Sequence, residues 1–203
     1  RTAVMSDLDA VASVEAECFP PAEAATKEEF AERLRYYGDY FWLMFEDDKL
    51  IAFVDGFVTD EKDLTDEMYE KASMHNENGA WQMIFGVNTL PAYRKQGYAG
   101  ELIREAIRTA KNQGRKGLVL TCKDALVPYY TKFGFQNEGI SGSVHGNVGI
   151  IAVDLHIQID CRVGHENADG SQADDAELLS FELAAGKMLF LLLGPFSKVL
   201  AIP

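Results

Sequence analysis

The sequence predicts an α/β domain, because its second half alternates strand-like and helix-like segments. Such alternation is typical of a sheet with some parallel strands and with helices packed on its faces. The clearest unit is an apolar run at residues 83–87, a basic glycine-bearing loop at 94–99 and an amphipathic pattern at 101–113. A glycine loop between a strand and a helix suits a pyrophosphate, since converging N–H groups and the helix N-terminus attract anions. We therefore predict a diphosphate-bearing ligand at this loop.

Two helices and an apolar loop are predicted at the start of the chain. Ser6 and Asp9 have the spacing of a capping box, as do Thr26 and Glu29, and such pairs open helices by satisfying N–H groups of the first turn. Apolar residues follow each pair at helical spacing. Between the two helices, residues 19–21 form a stiff apolar loop, because proline fixes φ.

Strands and further helices are predicted along the rest of the chain from apolar runs and from helical periodicity. The predicted strands lie at 41–46, 50–59, 81–87, 118–121, from Phe135 onward and at 148–159. The predicted helices lie at 64–72, 97–113 and 127–133. The acidic turn at 47–49 joins the first two strands as a hairpin.

Composition bounds the class of protein and of its partner. The chain has 203 residues, of which 47% are hydrophobic, and a formal net charge of −13. This acidity argues against a nucleic-acid interface, which is usually basic. It suits a cationic small molecule such as an amine, although an acidic surface that only aids solubility explains it equally well.

Cysteine usage and hydropathy indicate a cytoplasmic protein. The three cysteines are widely spaced, with no CxxC pair and no Cys/His cluster. Neither a disulfide framework nor a metal site is therefore predicted, and reduced thiols fit the cytoplasm. We see no signal-peptide pattern and no apolar run of about 20 residues that would span a membrane, so no membrane association is predicted.

The character of the sequence changes near residue 160. We predict one domain over residues 1–159 and an extension over 160–203, with an acidic linker at 164–175 and an apolar helix at 177–193. The apolar part of the extension suits a dimer contact or a helix folded onto its own sheet. The protein is accordingly expected to be a monomer or a homodimer.

Two motifs carry a resemblance to a known superfamily. The first is Arg94-x-x-Gly97-x-Ala99 at the start of a helix, and the second is the aromatic segment 125–135, which ends in Gly-Phe. Together they resemble the GCN5-related N-acetyltransferase (GNAT) superfamily. The resemblance implies an α/β GNAT fold, with a mixed and mostly antiparallel central sheet that is splayed at the acetyl-CoA site and flanked by helices. It also implies acetyl-CoA as cosubstrate and no metal.

A narrower resemblance concerns the acceptor. Segments 18–24, 49–54 and 122–130 resemble arylalkylamine (serotonin-type) N-acetyltransferases, and the first of them is similar to the bacterial members. This implies transfer of an acetyl group to a small primary amine by direct attack in a ternary complex. The alternatives are a polyamine, aminoglycoside or protein amine as acceptor, or a CoA-binding module without catalysis.

The resemblance also implies which residues hold the cofactor. Residues 85–88 would bind the pantetheine arm as an added strand, with a β-bulge that Gly86 tolerates. Residues 94–99 would cradle the pyrophosphate. The residues expected to bind acetyl-CoA are Phe85, Gly86, Val87, Asn88, Arg94, Lys95, Gln96, Gly97, Tyr98 and Ala99.

Tyr130 matches the tyrosine that the resemblance implies is the general acid, with Tyr129 as the alternative. The histidine pair that removes the amine proton in the animal enzymes is replaced here by Met83 and Phe85. Base candidates are therefore His75 and His145. A carboxylate, Glu17 or Asp55, is an alternative base, and desolvation that lowers the pKa of the amine would make a base unnecessary.

An apolar loop is expected to bind the acceptor. Phe19, Pro20 and Pro21 match the entry of the substrate loop, and Tyr36 or Phe57 are candidates for further walls. An apolar slot with acidic groups at its rim suits an aromatic or alkyl amine. Cys122 is expected to line the cofactor groove, because no partner residues indicate a thiol nucleophile.

Overall fold

The computed structural model describes residues 1–143 and the backbone of residues 152–158. Its strands form two sheets. The three-stranded sheet is antiparallel and has the order β1-β2-β5, with β1 at Phe41–Glu46, β2 at Lys49–Asp55 and β5 at Gly86–Thr89. The five-stranded sheet contains β3 at Val58–Thr59, β4 at Trp81–Ile84, β6 at Gly117–Lys123, β7 at Gln136–Ile140 and β8 at Ala152–Gln158. Its order is β3-β4-β6-β8-β7, and within it β4 and β6 are parallel.

Helices cover both faces of the three-stranded sheet. The described helices are α1 at Leu8–Cys18, α2 at Lys27–Tyr37, α3 at Asp66–Glu70, α4 at Tyr98–Asn112 and α5 at Val127–Thr131, of which α5 packs on β7 and β8 of the other sheet. Phe41 of β1 packs edge-to-face on Phe30 of α2, at 6.1 Å between ring centroids. The next residue, Trp42, donates from Nε1 to Thr109 Oγ1 of α4 over 3.3 Å. Because successive strand residues point to opposite faces, α2 and α4 lie on opposite sides of this sheet.

The two predicted capping boxes had different outcomes. Thr26 caps α2 as predicted, since its Oγ1 accepts from Glu29 N over 3.2 Å and Glu29 Oε2 accepts from Thr26 N over 2.6 Å. The box predicted for Ser6 and Asp9 was wrong. Residues Met5–Asp7 form a 3₁₀ turn before α1, and the Asp7 carboxylate accepts from Val4 N over 2.9 Å and binds the Arg1 guanidinium.

Two neighbouring antiparallel chain segments, β2–β3 and β4–β5, change from one sheet to the other at the same point. The run predicted as one strand at 50–59 divides into β2 and β3, and the run predicted at 81–87 divides into β4 and β5. Hydrogen bonds continue across the break, from Phe85 N to Asp55 O and from Met83 N to Phe57 O, each over 2.8 Å. Two residues separate Asp55 from Val58, whereas three separate their partners Gly86 and Gln82. The extra residue is a β-bulge between β4 and β5.

A glycine makes this crossing sterically feasible. A Cβ built on Gly56 would lie 1.8 Å from the carbonyl oxygen of Met83. No side chain larger than hydrogen fits such a contact between two backbones. The crossing therefore depends on glycine at this position.

The bulge splays the sheet. β4 pairs with β6 from Trp81 to Ile84, but β5 pairs with β2 and is the edge strand of its own sheet, whereas β6 continues alongside β8. The strands β5 and β6 therefore diverge beyond Ile84. This is the splayed, mixed and mostly antiparallel arrangement that the sequence predicted.

The remaining predicted helices agree with the structure in type and differ in their ends. The predictions at 64–72, 97–113 and 127–133 correspond to α3, α4 and α5. Residues 144–151 and 159–203 lie outside the described residues, so the predictions for His145, for the linker and for the apolar extension stay predictions. Each helix within the described part of the chain is too short or too polar to cross a bilayer.

Candidate active site

The loop before α4 has the backbone geometry of an anion cradle. Lys95 and Gly97 both have positive φ, at +62° and +88°, and residues that alternate between right- and left-handed conformations turn successive N–H groups toward one point. No side chain caps the N-terminus of α4, and a Cβ on Gly97 would meet no atom within 4 Å. These groups fit a pyrophosphate, because first-turn N–H groups and the helix dipole favour an anion.

This loop is tied to the end of β5. Arg94 Nε donates to the carbonyl oxygen of Thr89 over 3.1 Å, and the Cys18 thiol of α1 donates to the same oxygen over 3.3 Å. The predicted cofactor loop, the predicted pantetheine strand and the end of α1 therefore meet at one backbone carbonyl.

The edge of β5 that faces away from β2 has backbone groups that an extended ligand can pair with. Leu90 N donates to Ile51 O over 2.9 Å, and Asn88 lies opposite Phe53 in the register. Because ladder hydrogen bonds alternate along an antiparallel strand, the N–H and C=O of Val87 point away from β2. Among the strands that the structure describes, the predicted cofactor segment 85–88 thus includes an edge without a neighbouring strand.

Aromatic side chains line the splay between β5 and β6. The Phe85 ring packs against Phe57 at 4.9 Å and against Tyr69 of α3 at 4.8 Å. Tyr69 reaches across the splay, and its hydroxyl lies 3.2 Å from Thr121 Oγ1 on β6. Tyr69 and Thr121 were not predicted from the sequence, since a short acidic helix and an ordinary strand residue gave no signal.

The structure distinguishes the two adjacent tyrosines of α5, both of which are buried. Tyr129 packs on Phe133 at 5.2 Å, and Phe133 in turn lies beside Gly100 of α4. The pKa of Tyr130 is raised well above 10, chiefly by burial and further by Tyr129, Cys122 and Tyr69. The surroundings of Tyr130 therefore include Tyr69 of the splay, and its hydroxyl keeps its proton at neutral pH.

His75 has a structural position that argues against the predicted role as base. Its Nδ1 accepts from Val58 N over 3.1 Å, its Nε2 lies 3.2 Å from Glu77 Oε2, and its ring packs against Tyr40 at 5.3 Å. Both ring nitrogens are engaged in holding the segment before β4. Burial lowers the pKa of His75, so the ring stays neutral while its accepting nitrogen is already occupied.

Other predicted positions can be placed directly. Tyr36 is half exposed on α2, and Phe57 is fully buried against Phe85, so their roles as pocket walls stay predictions. Phe19 and Pro20 are half-buried in the loop after α1, whereas Pro21 and Glu17 are exposed. Cys122 is buried near Tyr130, and burial raises the pKa of its thiol to about 12, so it is not a nucleophile.

A cluster of buried polar groups lies on the α1–α2 side of the splay and was largely missed from the sequence. It comprises Glu15 of α1, Arg33 of α2, Asp55 of β2 and Asn88 of β5, all of them buried. Arg33 Nη1 lies 3.5 Å from Asp55 Oδ2, and Arg33 Nη2 donates to Tyr69 O over 3.1 Å. We refer to these four residues as the buried polar cluster.

Electrostatics in the cluster favour the protonated acids. Burial raises the pKa of Glu15 to about 7, opposed by the N–H of Ala25, while the charge of Asp55 raises it further. Burial raises the pKa of Asp55 to about 6, opposed by Arg33 and by the Gly86 N–H. Two carboxyl groups thus share one guanidinium, and both titrate near neutral pH.

The sequence did contain a signal for this cluster. Arg33 occupies the apolar stripe of α2 formed by Phe30, Leu34 and Tyr37, and Glu15 follows Val11 and Val14 on the buried face of α1. A charged residue within an apolar stripe is rarely buried without a partner. Charged residues in the stripes of two successive helices, together with Asp55 in an apolar strand, would have predicted mutual contact.

Comparison with known proteins gives the family. A sequence profile described as the acetyltransferase (GNAT) family matches residues 8–135. The chain belongs to this family. It is 33% identical over 96 residues to serotonin N-acetyltransferase of Mesocricetus auratus, across 47% of this chain and 45% of that protein. The chain spans about half the length of the curated relatives that it matches. The predicted superfamily is confirmed, whereas the bacterial subgroup stays a prediction.

Solved GNAT structures share the fold. The loading GNATL domain of CurA from Lyngbya majuscula superposes with a TM-score of 0.69 at 16% identity, over 78% of this chain and 96% of that one. A GphF GNAT-like decarboxylase in complex with isobutyryl-CoA gives 0.66 at 19% identity, over 78% and 97%. At these identities the likeness shows the fold alone, and it is the fold that the sequence predicted.

Gly97→Ala tests the anion cradle, with Gly114→Ala as a matched control at the other end of α4. Both glycines have positive φ and open space around a built Cβ, so each substitution costs about 1 kcal/mol of backbone strain. We expect similar losses of stability for both variants in denaturant unfolding. Only Gly97→Ala should weaken acetyl-CoA binding in calorimetry, by about tenfold or more. Equal affinities in the two variants would contradict the cradle.

Proposed function

We propose that this protein transfers the acetyl group of acetyl-CoA to a small primary amine, with an arylalkylamine as the favoured class of acceptor. Membership of the acetyltransferase family supports the enzyme class and the cofactor. The observation that carries the proposal is the combination of the anion cradle at residues 94–99 with the splayed edge of β5, which together suit a pyrophosphate and an extended arm. The bound cofactor would supply an activated acetyl thioester.

Different residues of the chain would bind the pyrophosphate and the extended arm of that cofactor. Lys95 supplies a positive charge at the cradle, and the N–H groups around Gly97 supply converging donors. Val87 offers the free backbone groups of β5 to the arm. Among the described residues, no cluster of three or more side chains is suited to a metal ion, and none of these steps needs one.

Tyr130 is proposed as the group that protonates the leaving sulfur. Its hydroxyl remains protonated at neutral pH because burial raises its pKa. A thiolate expelled into an apolar site needs a nearby donor, and a phenol that stays protonated can provide one. Tyr129, which packs toward Phe133 and α4, is less well placed for this role.

An arylalkylamine acceptor is supported by two observations. The half-buried Phe19 and Pro20 provide apolar surface at the loop after α1, which suits an aromatic or alkyl group. The relative named above is a serotonin N-acetyltransferase, although it matches less than half of its own length to this chain. The strongly acidic composition suits any cationic acceptor and does not by itself select one.

The proposal is tested by the release of free CoA thiol from acetyl-CoA in the presence of an amine panel. Phenylethylamine, tryptamine, spermidine, an aminoglycoside and a lysine peptide cover the alternatives. We expect turnover that is fastest with the two arylalkylamines. Faster turnover with another member would replace the acceptor class, and binding of acetyl-CoA without turnover on any amine would contradict the catalytic proposal.

Tyr130→Phe removes one oxygen from the proposed general acid and leaves the aromatic packing intact. Positioned acid–base groups contribute about 10²–10⁴-fold to rates, so we expect at least a tenfold lower kcat with little change in the affinity for acetyl-CoA. Tyr129→Phe is the matched control on the same helix and should keep most of the activity. Equal kcat values for the wild type and Tyr130→Phe would remove Tyr130 from the mechanism.

A further inference from the structure

The side chain of Glu15 lies between the two substrate segments of the proposed enzyme. Its Oε1 accepts from Ala25 N over 3.0 Å, at the far end of the loop that begins with Phe19 and Pro20. Asn88 of β5 faces the same carboxyl group and lowers its pKa. Glu15 therefore touches both the proposed acceptor loop and the proposed cofactor strand.

The charged groups in the buried polar cluster have a net negative charge when both carboxyl groups are ionised. Asp55 from β2 and Arg33 from α2 both act on the Glu15 carboxyl group, and the Cys18 thiol on its own helix lies close by. With both carboxyl groups ionised, the buried polar cluster has two negative charges and one positive charge. A cation that enters beside Glu15 would restore neutrality in a region where charge is poorly screened.

The cluster also contains polar atoms that the described residues leave unsatisfied. Asn88 Oδ1 is buried without a hydrogen-bond partner, and so is Arg33 Nε. Asn88 is 1% exposed. Buried polar groups are normally paired with protein or with ordered water, so an unpaired amide oxygen and guanidinium N–H beside a carboxyl group indicate a place where a small polar group binds.

Exposure decides which carboxyl group can exchange protons. Glu15 is 7% exposed, whereas Asp55 is 1% exposed and lies against Gly86, where a built Cβ would come within 2.5 Å of Asp55 Oδ1. A proton acceptor that works in every cycle must return its proton to solvent. Glu15 has the greater solvent exposure of the two and meets this requirement, whereas Asp55 is almost completely buried.

We infer that Glu15 is the proton acceptor for the substrate amine, and that Asp55 and Arg33 position and tune it. This inference rests on the proposed function. The ammonium form of the acceptor gives one proton to the Glu15 carboxylate, and the neutral amine then forms the C–N bond as the C–S bond breaks. The sulfur takes a proton from Tyr130, the second proton on nitrogen restores the Tyr130 hydroxyl, and Glu15 releases its own proton to water.

The pH dependence of kcat/KM for phenylethylamine in Glu15→Gln tests this inference. In the wild type, activity should rise as Glu15 loses its proton, near pH 7. Glu15→Gln keeps the oxygen that accepts from Ala25 N but cannot take a proton. We expect at least a tenfold lower kcat at pH 8, unchanged acetyl-CoA affinity, and a rise in activity only toward the pKa of the free amine, about 10.

The matched control is Glu28→Gln, which removes the same charge from the exposed face of the neighbouring helix α2. Its pH profile should match that of the wild type. Asp55→Asn should keep the rise in activity but move it to lower pH, because the charge of Asp55 raises the pKa of Glu15. A Glu15→Gln enzyme with the wild-type rate and profile would overturn the inference, while the amine panel separately decides the proposed function.

A second readout does not depend on turnover. The pKa of Glu15 is raised in the folded state, so its contribution to stability is full below about pH 4.5 and is lost as pH rises through about 7. Between pH 5 and pH 8 the wild type should therefore lose stability in denaturant unfolding relative to Glu15→Gln. Parallel stability curves would show that Glu15 titrates at its ordinary pKa and would overturn the inference.

Discussion

Two short backbone hydrogen bonds, Phe85 N to Asp55 O and Met83 N to Phe57 O, keep one pair of strands together while both strands change sheet. The two segments stay hydrogen-bonded for two reasons. Gly56 has no side chain to block the close approach of the two backbones, and one extra residue between β4 and β5 forms a β-bulge that restores the register. Separation of β5 from β6 follows directly. The free edge of β5, the aromatic lining of the splay and the position of the loop before α4 all follow from this one crossing.

The same crossing explains why charge is buried here. Asp55 ends β2 at the break, and Arg33 reaches it from α2 and also binds the backbone of Tyr69, so the guanidinium links the three-stranded sheet to α3. Burial of such a cluster costs free energy unless every group is paired. Asn88 Oδ1 has no hydrogen-bond partner among the described residues. Buried polar groups that lower the free energy of unfolding in this way are typical of a functional site rather than of a packing core.

Much of the fold could be predicted from the sequence because local signals and tertiary structure agree. The periodicity of α4, the Thr26 cap and the apolar runs of β1 and β6 each depend on neighbouring residues only. The crossing could not be predicted, because an apolar run from Leu50 to Thr59 has the same pattern whether or not it changes sheet. Likewise, Ser6 does not form the predicted capping box. The Asp7 carboxylate instead accepts from Val4 N and binds Arg1, and helix periodicity does not reveal these contacts.

For the candidate site, the sequence was informative about the cofactor and poor about the acceptor. The glycine loop is one contiguous segment, so its motif carries its geometry. The buried polar cluster draws single residues from four elements, and the charged residues in the apolar stripes of α1, α2 and β2 indicate burial but not which residues meet. His75 had the right chemistry for a base, but its contacts with Val58 N and Glu77 could be known only from the tertiary structure.

Amide hydrogen exchange with and without acetyl-CoA tests the central claim, which is that the cofactor binds along the splayed edge of β5 and at the loop before α4. The account predicts slower exchange at Val87 and at residues 95–99 when acetyl-CoA is bound. The amides of β1, on the far side of the same sheet, should exchange at unchanged rates. Protection confined to other segments, with Val87 and the loop unaffected, would contradict the account.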